Sequence, residues 1–345
     1  MSASNRTVEF NFNNLKDGDK SIPIDEVAEF LGHLQTLINH LGDYLAGSDY
    51  RRSGPSSDSV RNSCKLIFDK VEIGSFKATL GLQDKQTVLG GHQTLGEESI
   101  QQFYEIINDV TTDTNLEESI LARIKQPLHR TRIIEDIYKI WPNENSKYHI
   151  RFKSPQGLHV DLKPNYKLLI QGLMVEESKE DVSTKGVLSM IQVAPMKQKI
   201  IRIIDPDGRV NCTFPKELEE TAKKLLGKPV IIYGYAVFDA KGNIKEITEV
   251  NKIKQFTDLE LSRVFSGTQE LQFSQPLIVS VDYKEDAWIM ENRELSAVSI
   301  SSDYDECLDN FHKEIFFIWK EYGETSDNEL TQDAKDLKNK ILEYV

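Results

Sequence analysis

The chain has 345 residues, 39% of them hydrophobic and 28% charged, and a net charge of −13. This composition excludes wholesale disorder, and no apolar run nears the roughly 20 residues that cross a bilayer. So acidic a chain is also excluded from general affinity for nucleic-acid backbones. The charge is uneven: residues 1–150 carry 16 basic against 22 acidic side chains, 151–256 carry 18 against 13, and 257–345 carry 8 against 20. The three blocks are therefore net −6, +5 and −12, and the length suits two or three domains. Cys64, Cys212 and Cys307 are scattered, without CxxC spacing, and the opening MSASNRTVEFNFNN lacks the charged-then-apolar pattern of a signal peptide. Both features lead us to expect a reduced, cytoplasmic protein with no membrane association.

In the first block Val8, Phe10 and Phe12 alternate with polar residues, which predicts a half-buried strand. Apolar residues at helical spacing from Val27 to Leu45 then predict a long amphipathic helix opened by Pro23. His33 and His40 lie on nearly one face of it, but seven residues is not the spacing of a metal pair. Gly47–Ser63 reads as a polar loop carrying Arg51 and Arg52, and a hairpin follows with its turn at Gly74. The Gly90-Gly91-His92 stretch before the next helix matches no phosphate-binding spacing, and Glu97 and Glu98 in the first helical turn would repel an anion. Helices are expected over 97–110, 116–125 and 128–140, ended by Trp141-Pro142. Residues 1–147 thus read as an α+β domain with a helical appendage.

Residues 148–256 read as a β-barrel. A short hairpin, 148–153 with 158–162, leads into five expected strand systems beginning at Lys167–Glu176. Strand 186–194 follows, then a third system, 199–214, folded at Asp205-Pro206-Asp207-Gly208. A helix from Pro215 to Gly227 precedes the last two strands, 230–238 and 244–253. The order β-β-β-α-β-β resembles an OB-fold in topology, a barrel whose members often bind single-stranded nucleic acid. That resemblance implies a ligand face, for which Lys167, Arg202, Arg209, Tyr233 and Tyr235 are the candidates. The only positively charged block also suits an adaptor docked between two acidic neighbours.

Residues 257–274 read as a polar, helix-like connector, and 275–345 as a β-β-β-α domain. Leu277, Val279 and Val281 mark one strand, Trp288 and Met290 a second, and Val298 and Ile300 a third. Ser302 or Asp303 caps a helix through Tyr322, and a last helix spans about 331–344. The Ile278–Asp282 strand, the "KEDAWIMENREL" hairpin and the Ser302–Phe311 helix entrance resemble HicB-like antitoxin domains. The glycine that precedes the helix in that family is replaced here by Ser301-Ser302-Asp303. The resemblance implies neutralisation of a basic protein partner, and charge complementarity favours the same outcome. Asp282, Glu285, Asp286, Asp303, Asp305 and Glu306 are the candidate partner-binding residues.

The expectation is therefore an α+β multidomain protein: an N-terminal α+β domain, a central OB-like β-barrel and a C-terminal β-β-β-α domain. Its function is non-enzymatic interaction or regulation, antitoxin-like or defence-associated, with a basic protein as partner. The alternatives are single-stranded nucleic-acid binding by the barrel, and a metal-dependent nuclease using Asp303, Asp305 and Glu306. No catalytic set, metal site or cofactor is assigned.

Overall fold

The computed structural model describes residues 6–14, 22–48, 55–72, 76–83, 93–112, 116–143, 145–146, 148–154, 157, 159–175, 181–193, 199–205, 208–238, 244–267 and 269–345. Arg51, Arg52, the turn expected at Gly74, Gly90-Gly91-His92, residues 177–180, Pro206-Asp207 and residues 239–242 lie outside these residues. The chain divides into two compact units, one from most of residues 1–178 and one from residues 179–345.

The first unit is built on β1 (Thr7–Asn14), whose Phe10 and Phe12 are buried as their alternation predicts. Helix α1 (Ile24–Leu45) lays Phe30 against both rings, at 5.2 and 5.1 Å between centroids. Helix α2 (Asp58–Ser63) leads into the hairpin β2 (Leu66–Glu72) and β3 (Lys77–Leu82). Next come α3 (Leu95–Thr112), α4 (Leu116–Arg123) and α5 (Pro127–Ile140). Thr94 and Glu97 cap α3 reciprocally, the Glu97 N–H donating to Thr94 Oγ1 and the Thr94 N–H to Glu97 Oε2. Glu97 is thus spent on the helix end, as its first-turn position suggested.

Strands β4 (Tyr148–Lys153) and β5 (His159–Leu162) form the expected short hairpin, but it does not lead into the barrel. Strand β4 pairs with β1, Phe10 opposite Phe152, and the sheet runs β2-β3-β1-β4-β5. The boundary expected at residue 147 therefore moves to about 178. The strand expected at Lys167–Glu176 is also corrected, because Tyr166–Val175 is helix α6. A short unbroken apolar run does not distinguish strand from helix by period. Pro164, whose carbonyl accepts the Lys167 N–H, starts the helix.

The second unit opens with the barrel: β6 (Asp181–Gln192), β7 (Ile200–Asp205) and β8 (Gly208–Thr213), a short 3-10 turn and α7 (Glu219–Lys224), then β9 (Pro229–Phe238) and β10 (Ile244–Gln255). Five strands close in the order β10-β8-β7-β6-β9. Every pairing is antiparallel except β8 with β10, which is parallel through Asn211–Glu246 and Cys212–Ile247. Strand β6 supplies both neighbours: its first half pairs with β9 and its second with β7. Five strands with the helix between the third and fourth are present, but the members differ from those expected: the expected first strand is α6, and the expected third system is two strands, β7 and β8.

From β10 the chain passes directly into β11 (Asp258–Ser266) and the 16-residue β12 (Gln269–Lys284). The helix-like connector is therefore corrected to a β-hairpin. The register shifts between the pairs Leu261–Leu277 and Arg263–Gln272, so the extra residues lie on β12, at 273–276. On β11 Arg263 takes the buried position that continues Leu259 and Leu261, and Val264 and Phe265 are buried next to it, so the apolar residues fall out of alternation and their spacing imitates a helix. Strands β13 (Ala287–Asn292) and β14 (Ala297–Ser301) complete a four-stranded antiparallel sheet, β11-β12-β13-β14. Helix α8 (Tyr304–Ile318) crosses its inner face and α9 (Gln332–Leu342) follows.

Gly234 sets how tightly the barrel closes. A Cβ there would stand 2.8 Å from Ile247 Cγ2 and 3.0 Å from the Val250 Cα. Gly234→Ala is expected to lower stability by about 1–3 kcal/mol, read from the midpoint and slope of urea unfolding. An unchanged midpoint would show that the β9–β10 wall relaxes freely.

Candidate functional site

The five candidates for a nucleic-acid face do not assemble. Lys167 lies on α6 of the first unit, where its Nζ donates to the Trp141 carbonyl (2.6 Å) and Asn143 Oδ1 (2.7 Å) and sits over the Tyr138 ring. Burial holds its pKa below the usual lysine value. It is a local clamp rather than a ligand contact, since α6 is a helix. Arg202 on β7 donates through Nε to Asn211 Oδ1 (2.9 Å), and Arg209 stands exposed on β8. Tyr233 and Tyr235 are half-buried on β9. Along β6, Arg202 lies opposite Met190 and Tyr233 opposite Ser183. Measured along β6 the two positions are seven residues apart, about 23 Å at the usual rise, while on the other side of the barrel Asn211 is linked to Val237 of β9 through Glu246.

Sequence patterns gave no hint of the cation that meets Tyr233. Lys252, paired with Tyr233 across the strands, holds its Nζ 5.7 Å from that ring's centre. Beside it β10 is irregular from Thr248 to Lys252, with Glu249 at φ 52°. A cleft of about 660 Å³ opens there, floored by Phe214, Val237 and Val250 and edged by Thr213, Thr248 and Asn251.

The acidic candidates do converge, on one end of the C-terminal sheet. Tyr283, Trp288 and Ser301 are neighbours across β12, β13 and β14, and Trp288 stacks edge-on with Tyr283 and Tyr304. Glu285 and Asp286, at φ 50° and 59°, are the tip of the β12–β13 hairpin, closed by the Lys284–Ala287 pair. Asp282 lies just below, its carboxyl held under the usual range chiefly by the Lys284 ammonium 2.5 Å away. At the same end Asp303 caps α8 by accepting the Glu306 N–H (2.8 Å), and Glu306 accepts the Ser301 hydroxyl (2.6 Å). Asp305 sits in the first turn of α8. The geometry of Asp303 and Glu306 is that of a helix cap, and among the described residues no three His, Cys, Asp or Glu side chains are grouped to hold a metal.

The sheet's outer face carries what the sequence pattern hid. Alternation in Ala-Val-Ser-Ile-Ser suggests Val298 and Ile300 as core residues, yet Ala297 and Ser299 point inward and are buried. Helix α8 passes so close that the Cys307 thiol donates to the carbonyls of Ser299 (3.4 Å) and Trp288 (3.5 Å). Only small side chains fit beneath it, which turns Val298 and Ile300 outward, 54% and 61% exposed. Ile300 lies beside Ile289 and then Asp282, Val298 beside Glu291, and on the far side Ile278, 48% exposed, faces Glu260. The result is an apolar patch with carboxylates beside it.

No protein-family model matches the chain, and a search of curated proteins finds no relative. The site must therefore be read from its own geometry.

His312 of α8 is buried against Phe265, 5.8 Å between rings, and neither ring nitrogen has a hydrogen-bond partner. Burial pushes its pKa down from 6.5 to about 4. The unfolded chain binds this proton first, so its contribution to stability is full above about pH 6.5 and is lost as pH falls toward 4. The loss is expected to reach about 3 kcal/mol at about pH 4, measured by urea unfolding across that range. His312→Leu should flatten this part of the profile, and an unchanged slope would contradict the assignment.

Proposed function

We propose that the chain is a non-enzymatic interaction protein that binds a basic protein partner through the outer face of its C-terminal sheet. The observation that carries this reading is the exposure of Val298 and Ile300 beside Asp282 and Glu291. Interfaces commonly place apolar side chains at the centre of a polar rim, and contiguous exposed apolar groups mark such sites. The surplus of 20 acidic over 8 basic residues in 257–345 selects for a cationic partner. The order of β12, β13, β14 and α8 supports the HicB-like resemblance, and with it an antitoxin-like or defence-associated role. Three buried cysteines, none of them in a disulfide, support a reducing, cytoplasmic setting.

A second reading rests on the barrel. Its strand order, with a parallel closure of the third strand on the fifth, supports the OB-like assignment, and the Lys252–Tyr233 pair beside the cleft supplies a stacking group with a cation. Labelled oligothymidylate at low salt tests it by fluorescence anisotropy. Tyr233→Ala should weaken binding by about 1–3 kcal/mol; no binding by the wild type removes this reading.

The first reading is tested by co-purification of the tagged full chain at low ionic strength. A partner of basic isoelectric point is expected, released as salt rises toward about 0.5 M. The double variant Val298→Lys, Ile300→Lys should lose it while keeping the wild-type circular dichroism. Failure to recover a basic protein, or recovery unaffected by the variant, overturns the proposal.

A further inference from the structure

The two edges of the C-terminal sheet are guarded differently. Edge strands expose unpaired N–H and C=O groups, and proteins blunt them with charges, proline or bulges. Strand β11 is blunted: it carries the exposed carboxylates Asp258 and Glu260, and its pairing with β12 is broken by a register shift after Leu261. Strand β14, Ala-Val-Ser-Ile-Ser, has no charge and no proline, and it pairs with β13 over five residues without a register shift. Among the described residues no strand lies on its other side.

We propose that β14 is a strand-addition site, and that its occupant is an extended, basic and apolar alternating segment of a protein partner. This rests on the function proposed above and specifies how the partner is held. In antiparallel addition alternate side chains of the incoming strand lie on opposite faces. Those on the outer face extend the stripe of Val298 and Ile300 and are apolar. Those on the inner face lie toward α8, whose first turn carries Asp305 and Glu306 behind the Asp303 cap, and are cationic. The neighbouring cations Lys284 and Arg293 are paired with Asp282 and Glu291 and do not oppose this. A second copy of the chain fits less well, because its β14 carries no cationic side chain to meet the carboxylates of α8.

The test uses the full chain and two synthetic ten-residue peptides of equal composition, one alternating Lys and Val and one with Lys and Val in separate blocks. Affinity is read by calorimetry, and amide hydrogen exchange is followed over residues 297–301 and 258–266. The alternating peptide should bind at least about tenfold more tightly than the block peptide, a difference of about 1.4 kcal/mol. Alternate amides of β14 should exchange more slowly in the complex while those of β11 do not. Ile300→Lys should lower the affinity about tenfold. Ile278→Lys, on the same face but two strands from the edge, should leave it within about threefold.

Equal binding of both peptides without protection of β14 overturns strand addition and leaves the charge-selected partner standing. Equal weakening by Ile278→Lys and Ile300→Lys overturns it in the same way. No peptide binding, or a dimer of the chain that protects β14 by itself, also overturns it. The partner reading then stands or falls by the co-purification alone.

Discussion

The second unit depends on the absence of any linker between its two sheets. Strand β10 ends at Gln255 and β11 begins at Asp258. The two residues between them are fixed, the Phe256 N–H donating to the Pro229 carbonyl and the Thr257 carbonyl accepting the Val281 N–H (2.7 Å). Phe256 is buried in the same apolar cluster as Val187 of the barrel and Val279, Met290 and Phe311 of the sheet and helix. Burying one such ring contributes about 2–3 kcal/mol, and Ile231 packs against the cluster as well. Barrel and sheet thus share one core, and the outer face of the sheet is held on a rigid support rather than on a tether.

This junction also consumes barrel surface. Lys185 lies over the Phe256 ring at 4.8 Å, and Lys199 and Lys223 are both paired with Glu219. Three of the block's lysines are thus engaged, and four more of its basic residues, Arg151, Lys153, Lys163 and Lys167, belong to the first unit. The barrel therefore offers a phosphate backbone less than the block's 18 basic residues suggest. The acidic end of the sheet differs in part. Asp282 is paired with Lys284, but Asp303 caps backbone and Glu285 and Asp286 stand at a hairpin tip, roles that leave the charge in place.

What was legible in the sequence follows the range of the interactions involved. Local signals are plain: the Phe10 and Phe12 alternation, the long period of α1, and Asp303 at the start of α8. The sequence misleads where one local pattern serves two structures. In β11 the buried Arg263 takes an inward position beside Leu261, Val264 and Phe265, so the apolar residues fall out of alternation and pass for a helix. The run around Leu168 and Leu169 has no period to choose by, and only the tertiary setting of Lys167 and Ile170 makes it helical. That β4 belongs with β1, or that β8 closes on β10, is a pairing between distant residues with no trace in either segment. The candidate site was half legible: the carboxylates are visible as composition, but their convergence needs the row Tyr283–Trp288–Ser301.

The inversion in β14 carries the functional weight. Packing requires Ala297 and Ser299 beneath α8, since a larger side chain would displace the helix from the Ser299 and Trp288 carbonyls that Cys307 contacts. Packing does not require valine and isoleucine on the opposite face. Strand propensity favours β-branched residues, but threonine meets that preference without exposing as much apolar surface. An uncharged edge strand bearing two exposed aliphatic groups is an association hazard, and the opposite edge of the same sheet shows how this fold guards against one. The difference between β11 and β14 is therefore not explained by the stability of the sheet, and the proposed partner surface would account for it.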